Sequence, residues 1–135
     1  MEGERARKVL YFFHGPLMDP TQLQRVLSLK DRPRSLKPAE IIRYHIQMWW
    51  PYPVLIDGPP GNVVKGMAYE VKGRENNDSL AHYETNNYKD RGRIIRLRRE
   101  SKIFGTTFEW VGDTEQLKDG RFDLRNWQMT HLLDD

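Results

Sequence analysis

From Ala39 to Val71 the chain offers three strand-like segments in succession, with no helix between them. Ala39–Trp50 is rich in β-branched and aromatic residues, Val54–Ile56 is a short apolar run, and Val63–Val71 alternates from Met67 onward. Pro51-Tyr-Pro53 separates the first from the second, and Asp57-Gly-Pro-Pro-Gly61 is a strong turn before the third. Parallel strands need long crossovers, so strands this close in sequence do not build a regular strand–helix–strand array.

The flanking segments are mixed. Val9–Phe13 reads as a buried strand that ends at the turn His14-Gly15-Pro16. Asp19 is a good N-cap, Pro20 suits a first helical position, and Leu23, Val26 and Leu27 form a helical stripe. Lys30–Pro38 is a loop. A helix capped by Asn77 or Asp78 is expected to run to about Tyr88. Arg93–Arg99 and Ile103–Val111 are strands, Asp113–Leu117 a short helical turn, and Phe122–Leu132 a closing helix. Five or six strands interrupted by helices at irregular places predict an α+β fold. We expect a curved mixed sheet or small β-barrel with helices packed outside, in one domain spanning residues 1–135.

Composition narrows the chemistry. A chain of 135 residues can bury an adequate core without staples. It has no cysteine, which removes disulfides, thiol nucleophiles and thiolate metal ligands. His45, His82 and His131 are scattered without metal-ligand spacing, and there is no phosphate-binding glycine loop or dinucleotide fingerprint. No cofactor or metal is therefore expected. The formal charge of +3, from 22 basic and 19 acidic residues, does not require a polyanionic partner. No apolar run is long enough to span a bilayer, and the charged start lacks a signal-peptide core. A cytoplasmic protein without membrane or nucleic-acid partners is the expectation. A homodimer is compatible with the sequence, which does not fix the oligomeric state.

Three segments carry candidate chemistry. In Asn77–Tyr88, helical spacing puts Leu80, Glu84 and Tyr88 on one stripe with Tyr83, while Ser79, His82 and Asn86 fall on the other side. A carboxylate on an apolar face is costly unless it has partners or a purpose, and burial raises its pKa into the range of a usable proton acceptor. An edge position or a hydroxyl or arginine partner for Glu84 fits the pattern equally well. His14-Gly15-Pro16-Leu17 joins a strand to a helix, where backbone N–H groups can hold an anion or polarised carbonyl and Gly15 permits close approach. It also reads as a plain strand-terminating turn. Met48–Pro53, with three aromatic residues in six, can wall an apolar pocket or simply fill core. The basic segment Arg91–Arg99 lacks any accompanying nucleic-acid motif and reads better as a solvated strand face.

In order along the chain, four stretches resemble the gamma-glutamylcyclotransferase-like family, in its avirulence-induced-gene-like, fungal-type branch. They are Phe12–Pro20, Met48–Leu55, Gly66–Val71 and Leu80–Tyr88, and Gly105–Trp110 and Gly120–Trp127 are similar to the fungal subset. The resemblance covers Val9–Trp127. It implies a small mixed β-barrel with flanking helices and a pocket at one mouth. It also implies a mechanism in which Glu84 takes a proton from an α-amine that attacks a γ-carbonyl of the same molecule, releasing 5-oxoproline. By the same resemblance, Phe13, Gly15, Pro16, Leu17, Trp50, Tyr52 and Tyr88 bind substrate. Three positions depart from the family pattern. His14 stands where the family has tyrosine, adding an imidazole that ordinarily titrates near neutrality and could partner Glu84. Pro16 replaces Thr or Ser and has no N–H or hydroxyl. Trp50 replaces a smaller residue, often glycine. The expectation is an acid/base enzyme for intramolecular cyclisation, or a related elimination or isomerisation, retuned toward a secondary metabolite. The alternative is a non-catalytic small-molecule-binding protein that keeps the fold.

Overall fold

The computed structural model describes residues 8–84, 87–97 and 101–131. Asn86, Arg98, Arg99 and Leu132, named above within helix or strand segments, lie outside the described residues.

Among the described residues the strands are β1 (Lys8–Phe13), β2 (Lys37–Ile42), β3 (Tyr44–Trp49), β4 (Tyr52–Asp57), β5 (Val63–Lys72), β6 (Tyr88–Leu97) and β7 (Lys102–Trp110). The α-helices are α1 (Pro20–Leu27), α2 (Arg74–Glu84) and α3 (Leu124–His131). Five strands close a barrel in the order β1-β5-β2-β6-β7. Most neighbours are antiparallel, and closure comes from the short parallel pairing of Tyr11 and Phe12 in β1 with Thr106 and Thr107 in β7. Strands β3 and β4 form a separate two-stranded hairpin. The fold is the small mixed barrel with flanking helices that the sequence suggested.

Where the elements differ from expectation, local backbone is the reason. The single strand expected over Ala39–Trp50 is two. Arg43 adopts a left-handed φ of 72°, so the ladder of β2 stops there and the chain leaves the barrel as β3. Its groups are held, since Arg43 N–H donates to Asn62 O at 2.9 Å and Gly58 N–H donates to Arg43 O at 2.8 Å. Helix α2 starts at Arg74, directly after Gly73 at φ 86°, rather than at Asn77. The Asn77 side chain is inside the helix instead, donating to Gly73 O at 2.6 Å and accepting from Tyr11 Oη at 2.7 Å. Tyr88 belongs to β6 rather than to the helix.

The alternation of β1 divides the core. Tyr11 and Phe13 point to the side where Leu23, Leu27, Leu80 and Phe108 pack, and Phe12 points to the side of Ile41, Val64, Ala68 and Ile95. Fully burying a side chain of this size contributes about 1.5–3 kcal/mol. Leu80 is completely buried and clamps α2 onto the barrel, which fixes where the next turn of that helix, ending in Glu84, must lie. Gly66 lies so close to β1 that a side chain would strike the Phe13 carbonyl and the Phe12 ring. Asp19 does cap α1, with Oδ2 accepting from Gln22 N–H at 2.8 Å, and its Oδ1 accepts from the Gln128 amide of α3. No helix among the described residues is long and apolar enough to cross a membrane.

Candidate functional site

At one mouth of the barrel lies a cavity of about 260 Å³. Three structures meet there: the turn after β1, the C-terminal end of α2, and the β3–β4 hairpin. The structure brings Glu84, His14, Phe13, Gly15, Pro16, Leu17, Tyr52 and Tyr88 to this one cavity.

Trp50 is not among them. It is 90 % exposed, and Trp49 lines the cavity in its place. The register explains the exchange. Trp49 pairs with Tyr52, leaving Trp50 and Pro51 as the two residues of the hairpin turn. Directly opposed residues of an antiparallel pair face the same side, so Trp49 and Tyr52 share the cavity face, with ring centroids 6.5 Å apart. Trp50 takes a left-handed φ of 55° at the tip, a conformation a bulky residue adopts only under strain. Behind the wall, Trp110 packs against Trp49 at 5.0 Å and edge-on to Tyr88 at 5.4 Å, and Trp49 Nε1–H donates to Gln116 Oε1 at 3.2 Å. The hairpin is thus pinned over the mouth by aromatic contacts as well as by its own ladder.

Glu84 sits at the end of α2 among tyrosines. Its carboxyl has no hydrogen-bond or ion-pair partner among the described residues. Burial alone pushes its pKa up to about 7 from an ordinary value near 4.5. The helix-stripe reading left it open whether Glu84 would be held by an arginine or a hydroxyl, and neither holds it. Near neutral pH it is therefore divided between acid and carboxylate, the state in which one group can both accept and return a proton. Burial raises Tyr83 and Tyr88 above their usual values, and the negative charge of Glu84 adds to the shift in both. The three groups therefore lie within electrostatic reach of one another. Tyr88 arrives from β6 rather than by helical spacing, and its ring lines the same cavity as Glu84.

His14 is not the near-neutral imidazole expected. Desolvation lowers its pKa to about 4. Its Nε2 lies 3.2 Å from Pro53 O, an acceptor, so Nε2 carries the proton and Nδ1 is a bare lone pair. Among the described residues, Nδ1 is buried without a partner. The imidazole is a neutral brace between the turn and β4.

Pro16, Leu17 and Met18 form a single 3-10 turn, closed by Met18 N–H to Gly15 O at 2.9 Å and Asp19 N–H to Pro16 O at 3.0 Å. Neither Gly15 N–H nor Leu17 N–H meets a backbone acceptor among the described residues, and Pro16 has none to offer. Gly15 has an ordinary extended φ of −135°. Its lack of a side chain serves packing, since a Cβ would stand 2.9 Å from Pro53 Cγ. Wall residues that the sequence did not single out as binding positions are Phe12, Trp49, Pro53, Tyr83 and Phe108. The two-residue turn signalled by Pro51 could have revealed Trp49. Phe108 comes in through the β1–β7 closure, which leaves no local signal.

The basic β6 strand has structural partners. Arg91 Nε donates to Glu109 Oε2 at 3.0 Å, Arg96 pairs with Glu40, and Arg93 Nε donates to Tyr44 Oη at 2.6 Å.

The sequence profile described as "Gamma-glutamyl cyclotransferase, AIG2-like" matches residues 11–129. Among solved structures, an Arabidopsis thaliana protein aligns over 95 % of this chain and 77 % of its own, with 20 % identity and a TM-score of 0.70. A gamma-glutamyl cyclotransferase aligns over 78 % of this chain and 68 % of its own, with 12 % identity and a TM-score of 0.62. A yeast gamma-glutamyl cyclotransferase specific to glutathione aligns over 76 % of this chain and 69 % of its own, with 11 % identity and a TM-score of 0.57. No curated protein sequence matches the chain. These likenesses are to the fold, and the profile match spans all but the ends of the chain: this protein belongs to the gamma-glutamyl cyclotransferase, AIG2-like family.

Proposed function

We propose that the protein is an acid/base enzyme that cyclises a compact amino-acyl small molecule, with Glu84 as the proton shuttle. The observation that carries this reading is an unpartnered carboxyl with its pKa near 7 in a small, aromatic cavity. In the reaction, an amine of the substrate attacks an acyl carbon of the same molecule. The new C–N bond closes a five-membered lactam, and the bond from that carbon to the leaving amine breaks. Glu84 removes the proton from the attacking amine and delivers it to the leaving one. Gly15 and Leu17 N–H groups are free to polarise the acyl oxygen. Holding both ends of one molecule in one small cavity supplies most of what such a reaction needs. His14 acts as a positioning residue, bracing the turn against Pro53.

The family likeness supports a gamma-glutamyl amine or peptide as the ancestral substrate. The changed turn, with His14 and Pro16, supports a retuned one, and the tail motifs Gly105–Trp110 and Gly120–Trp127 support a fungal-type branch serving secondary metabolism. An elimination or isomerisation would use the same shuttle.

The test is Glu84→Gln, assayed by mass spectrometry for lactam release. The variant should fold normally and lose about 10²–10⁴-fold in turnover. Full activity would sink the proposal. Pro16 favours a second reading, a binding protein without turnover. It predicts that wild type and Glu84→Gln bind ligand alike and that neither releases product.

A further inference from the structure

The proposed reaction fixes what the cavity does, and its wall chemistry says what it takes; this inference rests on that reading of the site. Among the described residues lining the cavity, Glu84 is the one charged group, and no lysine or arginine reaches it. Around it stand the rings of Trp49, Tyr52, Tyr83 and Tyr88. Aromatic faces attract cations through their quadrupoles, and the attraction strengthens when water is excluded. A ligand carboxylate in the same space would face a like charge and would be desolvated without a cation to receive it.

The neutral donors do not make up the deficit. Pro16 brings no N–H to the turn. Gly15 and Leu17 N–H remain, and the acyl oxygen of a reacting substrate claims them. The Tyr83 hydroxyl already shares a hydrogen bond with the Gln22 side chain. The beside-the-point cations are also committed elsewhere, since Arg91, Arg93 and Arg96 hold Glu109, Tyr44 and Glu40.

We infer that the cavity takes monocationic amino-acyl compounds that lack a carboxylate, and discriminates against gamma-glutamyl compounds, whose α-carbon carries one. A cavity of about 260 Å³ lies just below the ~300–1,000 Å³ of pockets for drug-sized ligands, so the ligand is compact. The chemistry balances without any co-reactant. A 4-aminoacyl amide bound as its ammonium first gives one proton to the Glu84 carboxylate. The free amine then forms one C–N bond as another breaks, its second proton passes to the leaving nitrogen, and Glu84 releases the first proton to solvent or to the departing amine.

Two matched pairs test this, each differing only in the carboxylate. For binding, 4-aminobutanamide and L-glutamine are titrated against the wild-type protein, read by calorimetry and by intrinsic tryptophan fluorescence. For turnover, 4-aminobutanoyl anilide and gamma-glutamyl anilide are compared by aniline release. The carboxylate-free member should bind and react at least about 10-fold better, and Pro16→Ser, which returns an N–H to the turn, should narrow that preference. Equal or tighter binding of glutamine overturns the inference, as does failure of both amides to bind at 10 mM, roughly the weakest affinity a specific site of this kind shows. A clear binding preference with no lactam from either anilide leaves the ligand class standing and overturns the cyclase reading, so the two failures are told apart.

Discussion

Strand β6 and the end of α2 both carry charge into partly buried surroundings, and the fold treats them in opposite ways. On β6, Arg91 meets Glu109, Arg93 meets Tyr44, and Arg96 meets Glu40. At the mouth, Glu84 meets no partner among the described residues. The arginine side chains lie near the surface, where pairing them is a matter of reach. Glu84 is walled by rings, and nothing in those rings can neutralise it. A charge that is answered holds structure together, whereas a charge left unanswered in an aromatic-lined cavity is available for chemistry.

The contrast is broken most decisively by moving the chemistry. Glu84→Gln should lose about 10²–10⁴-fold in turnover. Arg91→Met should leave turnover within about 2-fold of wild type, a change smaller than one pKa unit of transition-state stabilisation. If the arginine variant lost as much activity as the glutamine variant, the division between the two regions would be wrong.

Arg91→Met should instead lower stability by about 1–3 kcal/mol in urea titration, because Glu109 is mostly buried and would lose its charge-assisted donor.

The pH dependence of stability sharpens the comparison at the mouth itself. Below about 4.5 Glu84 is protonated in both folded and unfolded chains. Between about 4.5 and 7 only the folded state keeps the proton, so stability falls as pH rises. His14 works the other way. Between about 6.5 and 4 only the unfolded state takes a proton, so stability falls as pH drops. The two slopes, each at most about 1.4 kcal/mol per pH unit, oppose one another where they overlap. Wild type should therefore be nearly flat between about pH 4.5 and 6.5 with respect to these groups. Glu84→Gln should gain stability with pH across that window, and His14→Asn should lose it. Parallel profiles for the two variants would show that the groups do not carry the burial described.

The smallest effect is at the hairpin tip. Trp50→Gly should relieve the left-handed strain and change stability by less than about 1 kcal/mol, without loss of ligand affinity. Trp49→Ala, one residue away, should weaken binding at least about 10-fold, since a wall ring is lost.

Much of the fold was legible because it is written in local patterns. Asp19 and Pro20 start a helix wherever they precede an apolar stripe, and they do so here. The turn at Asp57–Gly61 and the alternation of β5 were equally local. Glu84 could be placed on the inner face because Leu80, one turn earlier, had to be buried. The errors fell where backbone conformation departs from what residue type suggests. Nothing in Arg43 announces a φ of 72°, so one expected strand became two. Nothing in two adjacent tryptophans says which will be the turn residue, although the pairing of Trp49 with Tyr52 decides it at once.

The sequence by itself determined an α+β chain with no thiol chemistry, a carboxyl on an apolar helix face, and a turn shorn of one N–H by Pro16. Only the tertiary structure decided that these belong to one cavity. Closure of β1 against β7 brings Phe108 beside the turn, the hairpin lays Trp49 and Tyr52 across the mouth, and β6 returns Tyr88 to Glu84. The pKa values follow from that assembly and from nothing earlier. Glutamate and histidine titrate near 4.5 and 6.5 in any open chain, and it is the exclusion of water by residues distant in sequence that drives them to about 7 and about 4.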